Sequence, residues 1–177
     1  MQGGRDSAKM HAPMSSFPPT PSGFGGLPLP AQIGKYPVLR RLGEGATSEV
    51  FLARDEFHQR DVAIKLVRPG AFGDSADGRY FERFFAAEAA LVGRLKHPNV
   101  VQIYDAVVDP VESYLVMEHV PGSTLRPYCR ADQLLPLELI VEIGFKCAMA
   151  MGYVYRQGLI HRDVKPDNIF ITTDGRV

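Results

Sequence analysis

The sequence has no surplus of either charge, no crowding of cysteine or other metal-ligating residues, and no long uninterrupted apolar run. Twenty basic and twenty acidic side chains cancel, which argues against a polybasic surface for nucleic acid or anionic lipid as the main function. Cys129 and Cys147 are the two cysteines. Both sit among apolar residues without a second ligand cluster, so buried free thiols in a reducing, cytoplasmic compartment are expected in place of a disulfide or metal site. The N-terminus lacks an apolar stretch of the signal-peptide type, and the richest later stretch, Leu134 to Ile160, is broken by Glu138, Glu142, Lys146 and Arg156. Neither a leader nor a membrane span is expected. What is present is a 177-residue chain of 45% hydrophobic content, enough for the core of one domain or of part of a larger one.

Residues Met1 to Gly34 are crowded with Pro, Gly, Ser and Met and follow neither helical nor strand period, so 1–34 is expected to be a disordered arm. Its Pro18-Pro19-Thr20-Pro21 reads as solvated chain before it reads as a polyproline ligand. From Tyr36 the texture changes to β-rich runs, Val38 to Leu42, Glu49 to Arg54 and Asp61 to Val67, which suggest an antiparallel sheet. The first two runs are joined by Gly43-Glu44-Gly45-Ala46-Thr47-Ser48, where glycine lets a backbone approach phosphate without a Cβ in the way, although a plain hairpin uses glycine too. In Val62-Ala63-Ile64-Lys65-Leu66-Val67 the alternation puts Lys65 on the face of Ala63 and Val67.

A lone strand lysine usually snorkels to water, but the next element changes that reading. Phe81, Phe84, Phe85, Glu88, Leu91, Val92 and Leu95 recur as one stripe of a helix, with Glu88 in its middle. A carboxylate on a core-facing stripe is costly unless a cation meets it, and Lys65 is the nearest candidate. Strands at Val101 to Val107 and Ser113 to His119 follow, turned by Asp109-Pro110; a helix runs from Pro136 to about Gln157 and stops at Gly158. Leu139, Ile143, Cys147, Ala150 and Val154 form one apolar row along it, and Ile140, Gly144, Ala148, Met151 and Tyr155 another, so it wants partners on most sides.

That helix leads into His161-Arg162-Asp163-Val164-Lys165-Pro166-Asp167-Asn168, which packs an acid, a cation and an amide into a stretch without helical or strand period. Phosphoryl transfer asks for a carboxylate to orient the attacking hydroxyl, a cation for the migrating phosphoryl group and oxygen ligands for a divalent metal. Asp163, Lys165 and Asn168 can supply these in turn. Pro166 biases Lys165 toward an extended conformation and opposes a helix. The run Ile169-Phe170-Ile171 with Thr172 to Gly175 reads as a short strand and hairpin turn.

In this loop, and in the order of glycine turn, strand Lys, helix Glu, apolar strand and loop from Tyr36 to Val177, the chain resembles the eukaryotic-type (Hanks-type) serine/threonine protein kinases, whose sequence signatures supply the roles that follow. The resemblance implies an α+β, bilobal kinase-like fold: a small lobe over 35–119, an antiparallel sheet with one helix, then a hinge and the first part of the helical lobe over 120–177. It implies ATP and Mg²⁺ as cofactors, with Asp163, Lys165 and Asn168 catalytic and Asn168 a metal ligand. It also implies nucleotide contacts from Leu42, Gly43, Gly45, Ser48, Val50, Ala63, Met117, Glu118, Val120 and Phe170, and a Lys65–Glu88 pair that anchors the α- and β-phosphates. Ser48 stands where the family has its third loop glycine. Lys165 is the serine/threonine-type choice, which points to protein Ser/Thr hydroxyls as substrates. Arg162 resembles the arginine that holds a phosphorylated activation loop, and His161 a structural spine residue.

The family's Asp-Phe-Gly would come a few residues after Val177, so the chain as given is expected to be a C-terminally truncated catalytic domain, a poor phosphotransferase alone and left with an apolar patch on the long helix. Two rivals belong to other classes: a non-catalytic nucleotide-binding or interaction module, and a small-molecule phosphotransferase of related fold, against which Lys165 speaks. The oligomeric state is not legible.

Overall fold

The computed structural model describes residues 28–72, 76–109, 111–172 and 177. Six strands form one antiparallel sheet: β1 Gln32–Ile33, β2 Tyr36–Glu44, β3 Ser48–Asp55, β4 Arg60–Val67, β5 Ile103–Val107 and β6 Tyr114–Glu118, in the order β1-β2-β3-β4-β6-β5. Alternating β-branched and aromatic residues suit a sheet packed on both faces. One face buries Phe51, Val62, Ile64 and Val116 with Tyr36 and Tyr114. On the opposite face Val67 and Leu115 pack on Phe85 of helix α1, Ala76–Ala89. Phe72 and Phe81 add their rings to Phe85 at 5.7 and 6.5 Å.

Two expectations are corrected here. The apolar stripe of α1 runs on to Leu95, but the helix ends at Ala89. Gly93, at φ +68, turns the chain and donates its N–H to the Ile103 carbonyl at 3.1 Å, so Leu95 reaches the interior from a turn and not from the helix. The expected disordered arm also ends early: within it Gln32–Ile33 pairs with Tyr36 and Pro37, and Ile33 is fully buried in the sheet core. Residues 1–27, with the Pro18–Pro21 cluster, lie outside the described residues.

Helix α2, Leu137–Arg156, starts directly after Pro136 and is stopped by Gly158 at φ +77, within a residue of the expected bounds. Its first apolar row is buried at Ile143, Ala150 and Val154, whereas Ile140 and Tyr155 of the second row, with Leu137, Val141, Phe145 and Met149, are exposed. Cys147 on this helix is half-buried, and burial pushes its thiol pKa up. Cys129, expected to be buried, is exposed at the end of a short 3₁₀ turn, Arg126–Cys129. Its apolar neighbours in sequence do not surround it in space. Among the described residues no helix is long and apolar enough to cross a membrane.

The last two strands, β7 Gly122–Thr124 and β8 Phe170–Thr172, pair with each other across the chain. Between β6 and β7 residues 119–121 have no regular structure, at the place where the resemblance puts the hinge, and β7 follows at once; the hairpin turn expected after Thr172 falls at residues 173–176, outside the described residues. Gly122 makes this pairing possible, because a Cβ there would stand 2.1 Å from the Ile171 carbonyl oxygen. Backbone cannot move aside as a side chain can, so Gly122→Ala is expected to destabilise the fold by about 1–3 kcal/mol. Urea unfolding of the variant against the parent measures it, and an unchanged midpoint contradicts the close approach.

Candidate active site

Lys65 lies in the middle of β4, paired with Val50 on β3 and Leu115 on β6, so ladder bonds on both sides hold its backbone. Its side chain shares the α1-facing side with Ala63 and Val67, and Nζ meets Glu88 Oε2 at 2.7 Å with both side chains partly buried, 22% and 30% exposed. Glu88 falls in the last turn of α1, where the helix dipole disfavours an anion. The lysine therefore offsets both the desolvation and the dipole.

The rung of Lys65 and Val50 continues to Gly43 on β2, the Cα partner of Val50. Leu42 falls in a register shift between Arg41 and Gly43, a bulge of the kind that re-aims a side chain. In the turn Gly45 donates its N–H to the Ser48 carbonyl at 2.8 Å. A Cβ at Gly43 would meet nothing within 4 Å, and at Gly45 only the Ser48 carbonyl at 3.6 Å. This open backbone leaves room for a phosphate group, so the residues present fit a nucleotide triphosphate. Ala63 and Met117 are cross-strand partners, and Met117 packs half-buried on the Val67–Phe85–Leu115 cluster. Glu118 commits its own N–H to the Gln102 carbonyl at 2.8 Å. Val120 and Phe170 are half-buried.

The second group of candidates sits in the loop after α2. Lys165 is extended, at φ −153 and ψ 161, and Pro166 opens a 3₁₀ turn over Pro166–Asn168, as a residue before proline should be. Arg162 adopts the left-handed conformation at φ +62, a strain that folded loops retain chiefly where the surroundings enforce it. Asp163 Oδ2 accepts from Lys165 Nζ at 2.9 Å and from Asn168 Nδ2 at 2.9 Å. The Asn168 amide also donates to the Asp163 carbonyl at 2.9 Å. The hydrogen bond from Lys165 foremost, with that from Asn168, holds the Asp163 carboxyl below the usual carboxylate range. Since Nδ2 of Asn168 is engaged in this way, its Oδ1 is the atom with which it can meet a metal ion, and an amide oxygen is a suitable donor for Mg²⁺. No cluster of three or more His, Cys, Asp or Glu side chains among the described residues could hold a metal.

Among the described residues no hydrogen bond or ion pair joins the Lys65–Glu88 pair to the Asp163 group. They are held in one frame by residues that the sequence did not single out. Leu125, just beyond β7, donates its N–H to the Pro166 and Ile169 carbonyls at 3.0 and 2.8 Å. Tyr153 of α2 accepts the Lys96 N–H at its hydroxyl, 2.9 Å away, and packs its ring on His97 at 5.1 Å. Asn99 Nδ2 donates to the Val177 carbonyl at 2.6 Å. Tyr153 belongs to neither apolar row of α2, and its polar tip was the one signal available.

Residues 36–177 match the family described as the protein kinase domain. The serine/threonine-protein kinase PrkC of Bacillus subtilis is 37% identical over 81% of this chain and 22% of its own length. The serine/threonine-protein kinase PknB of Mycobacterium leprae is 39% identical over 81% of this chain and 23% of its own. The crystal structure of the Mycobacterium tuberculosis PknI kinase domain superposes with a TM-score of 0.69 at 30% identity, covering 82% of this chain and 58% of that one. The chain thus spans about a fifth of the length of these curated relatives, 22% and 23%. The α+β kinase-like architecture expected from the sequence is the one observed: an antiparallel sheet with its helix, followed by part of the helical lobe.

With Lys165 as the foremost cause of the low Asp163 pKa, Lys165→Met is expected to move that carboxyl back up toward the ordinary range. The contribution Asp163 makes to stability, present at neutral pH and lost as pH falls through its folded-state pKa, would then disappear at a higher pH than in the parent. A carboxyl-carbon NMR titration reads the shift, and an identical midpoint in the two proteins contradicts the pairing.

Proposed function

The chain belongs to the protein kinase domain family, of the Hanks serine/threonine type, and from that premise we propose that it serves the transfer of the ATP γ-phosphoryl group to Ser and Thr hydroxyls of protein substrates. The observation that supports this reading best is the Asp163 carboxylate accepting from Lys165 and Asn168 together, since a scaffold has no need of an acid, a cation and an amide so joined. ATP with Mg²⁺ supplies, when bound, an electrophilic phosphoryl group with its charge partly neutralised.

The remaining work falls to the chain. Asp163, kept ionised by its partners, orients the substrate hydroxyl and takes up its proton. Lys165 follows the negative charge of the migrating group, and Asn168 offers its amide oxygen to the metal. Lys65, aimed by Glu88, holds the α- and β-phosphates, while the backbone at Gly43, Gly45 and Ser48 covers the chain of phosphates. Leu42, Val50, Ala63, Met117 and Phe170 supply apolar walls for the adenine, and the Glu118 carbonyl with the backbone of Val120 meets its polar edge. A reducing, cytoplasmic setting is part of the proposal and rests on the two free thiols.

Lys65→Met and Asp163→Asn, each in the intact protein, are expected to lower the rate of phosphate transfer by about 10²-fold or more. Radiolabel transfer to a protein substrate checks both, and undiminished transfer in either variant overturns the assignment. ATP binding that persists in a wild-type protein unable to phosphorylate any protein would support the rival, a non-catalytic binding module.

A further inference from the structure

Four charged side chains that the proposed chemistry leaves unused meet at the base of the glycine-rich turn. Glu44 and Glu49 are cross-strand partners, so two carboxylates oppose each other on the rung that closes the hairpin. Like charges so placed push a hairpin apart. Two arginines answer them, each reaching both. Arg41 lies 3.8 Å from Glu44 and 3.3 Å from Glu49, and Arg68, the first residue beyond β4, lies 3.5 Å from Glu44 and 3.9 Å from Glu49. The Arg41 and Glu49 side chains are only 10% and 12% exposed, and the Arg41 guanidinium lies over the Phe51 ring at 5.7 Å. Arg68 also holds the turn by its backbone, donating its N–H to the Thr47 carbonyl at 2.9 Å.

We propose that Arg41, Glu44, Glu49 and Arg68 form a positioning clamp for the nucleoside triphosphate, a role that deepens the proposed kinase function and rests on it. The four side chains meet one another and would act through the turn, as positioning residues. The turn itself is nearly free of packing, as the empty space around Gly43 and Gly45 shows, so its glycines lose much conformational freedom when phosphates order it. The clamp carries part of that ordering in advance. It fixes the angle at which the turn leaves β2 and β3, and through Arg68 it ties the turn to the strand that carries Lys65. The backbone of the turn and the Lys65 ammonium are thereby directed at one phosphate chain.

The test uses the intact protein with Glu49→Gln, which removes charge but keeps shape, Arg68→Met, and the conservative Arg68→Lys. ATP affinity is measured by calorimetry and the KM values for ATP and for protein substrate are measured separately. Glu49→Gln and Arg68→Met are expected to weaken ATP binding about fivefold or more, with the KM for protein substrate unchanged, and Arg68→Lys to stay close to the parent. Should Glu49→Gln fail to fold, the partly exposed Arg68→Met carries the test. Unchanged ATP affinity in folded variants of a protein that itself binds ATP overturns the clamp alone. Failure of the unsubstituted protein to bind ATP overturns the kinase reading, and the clamp with it.

Discussion

The contact between Lys65 and Glu88 sets the geometry on which the small lobe depends. Helix α1 touches the sheet through a modest apolar cluster around Phe85, which fixes a distance but only weakly a rotation, because apolar contact has no direction. Glu88, one turn beyond Phe85, adds direction. A half-buried carboxylate at the C-terminal end of a helix is unfavourable on two counts, burial and dipole, and the 2.7 Å contact with Lys65 is what offsets them. Such pairs seldom add much net stability. Their value here lies in specifying where an ammonium stands, since Lys65 is held from behind by a strand bonded on both edges and from the side by Glu88.

This pair was legible in the sequence for a physical reason: strand alternation and helical period each assign a face, and an acid on an apolar stripe demands a cation. The bounds of α2 were legible for a similar reason, because Pro136 and Gly158 mark a helix by their own backbone limits. Features set by long-range pairing were not. Strands β1 and β7 span two or three residues each, too few for a period to show, and β7 exists because the distant β8, itself readable as a short apolar run, pairs with it. The end of α1 was misread because Leu91, Val92 and Leu95 continue the apolar spacing beyond Ala89, where the helix has already ended and the chain turns through Gly93. The Arg41–Glu44–Glu49–Arg68 quartet had no signal at all, since its spacing gains meaning only once the register sets Glu44 opposite Glu49.

The loop around Asp163 was legible in its residue types but not in its wiring. Nothing local predicts that Leu125 anchors it through the carbonyls of Pro166 and Ile169, or that Arg162 adopts a left-handed backbone. These contacts matter because the three candidate side chains project from a segment with little regular structure, so their mutual placement is only as good as the frame that holds the loop. The exposed apolar side chains of α2, Phe145 and Met149 among them, contrast with its buried edge at Ile143, Ala150 and Val154: the helix that leads into the loop is covered along one edge only.

The low pKa of Asp163 bears on how such a loop would work. A carboxylate stabilised by an ammonium and an amide is a weak base, so it does little to strip a proton from a serine hydroxyl at the outset. In a loose phosphoryl-transfer transition state that is no handicap, because the hydroxyl becomes strongly acidic only as its bond to phosphorus forms. In the proposed transfer Lys165 would couple the two events: as charge gathered on the migrating group, the ammonium would be drawn from Asp163 toward it, and the carboxylate would regain basicity at the stage when the proton must be accepted. The same contact that keeps Asp163 ionised and in place beforehand would thus time its basicity, and the proposed chemistry would rest on position more than on proton affinity.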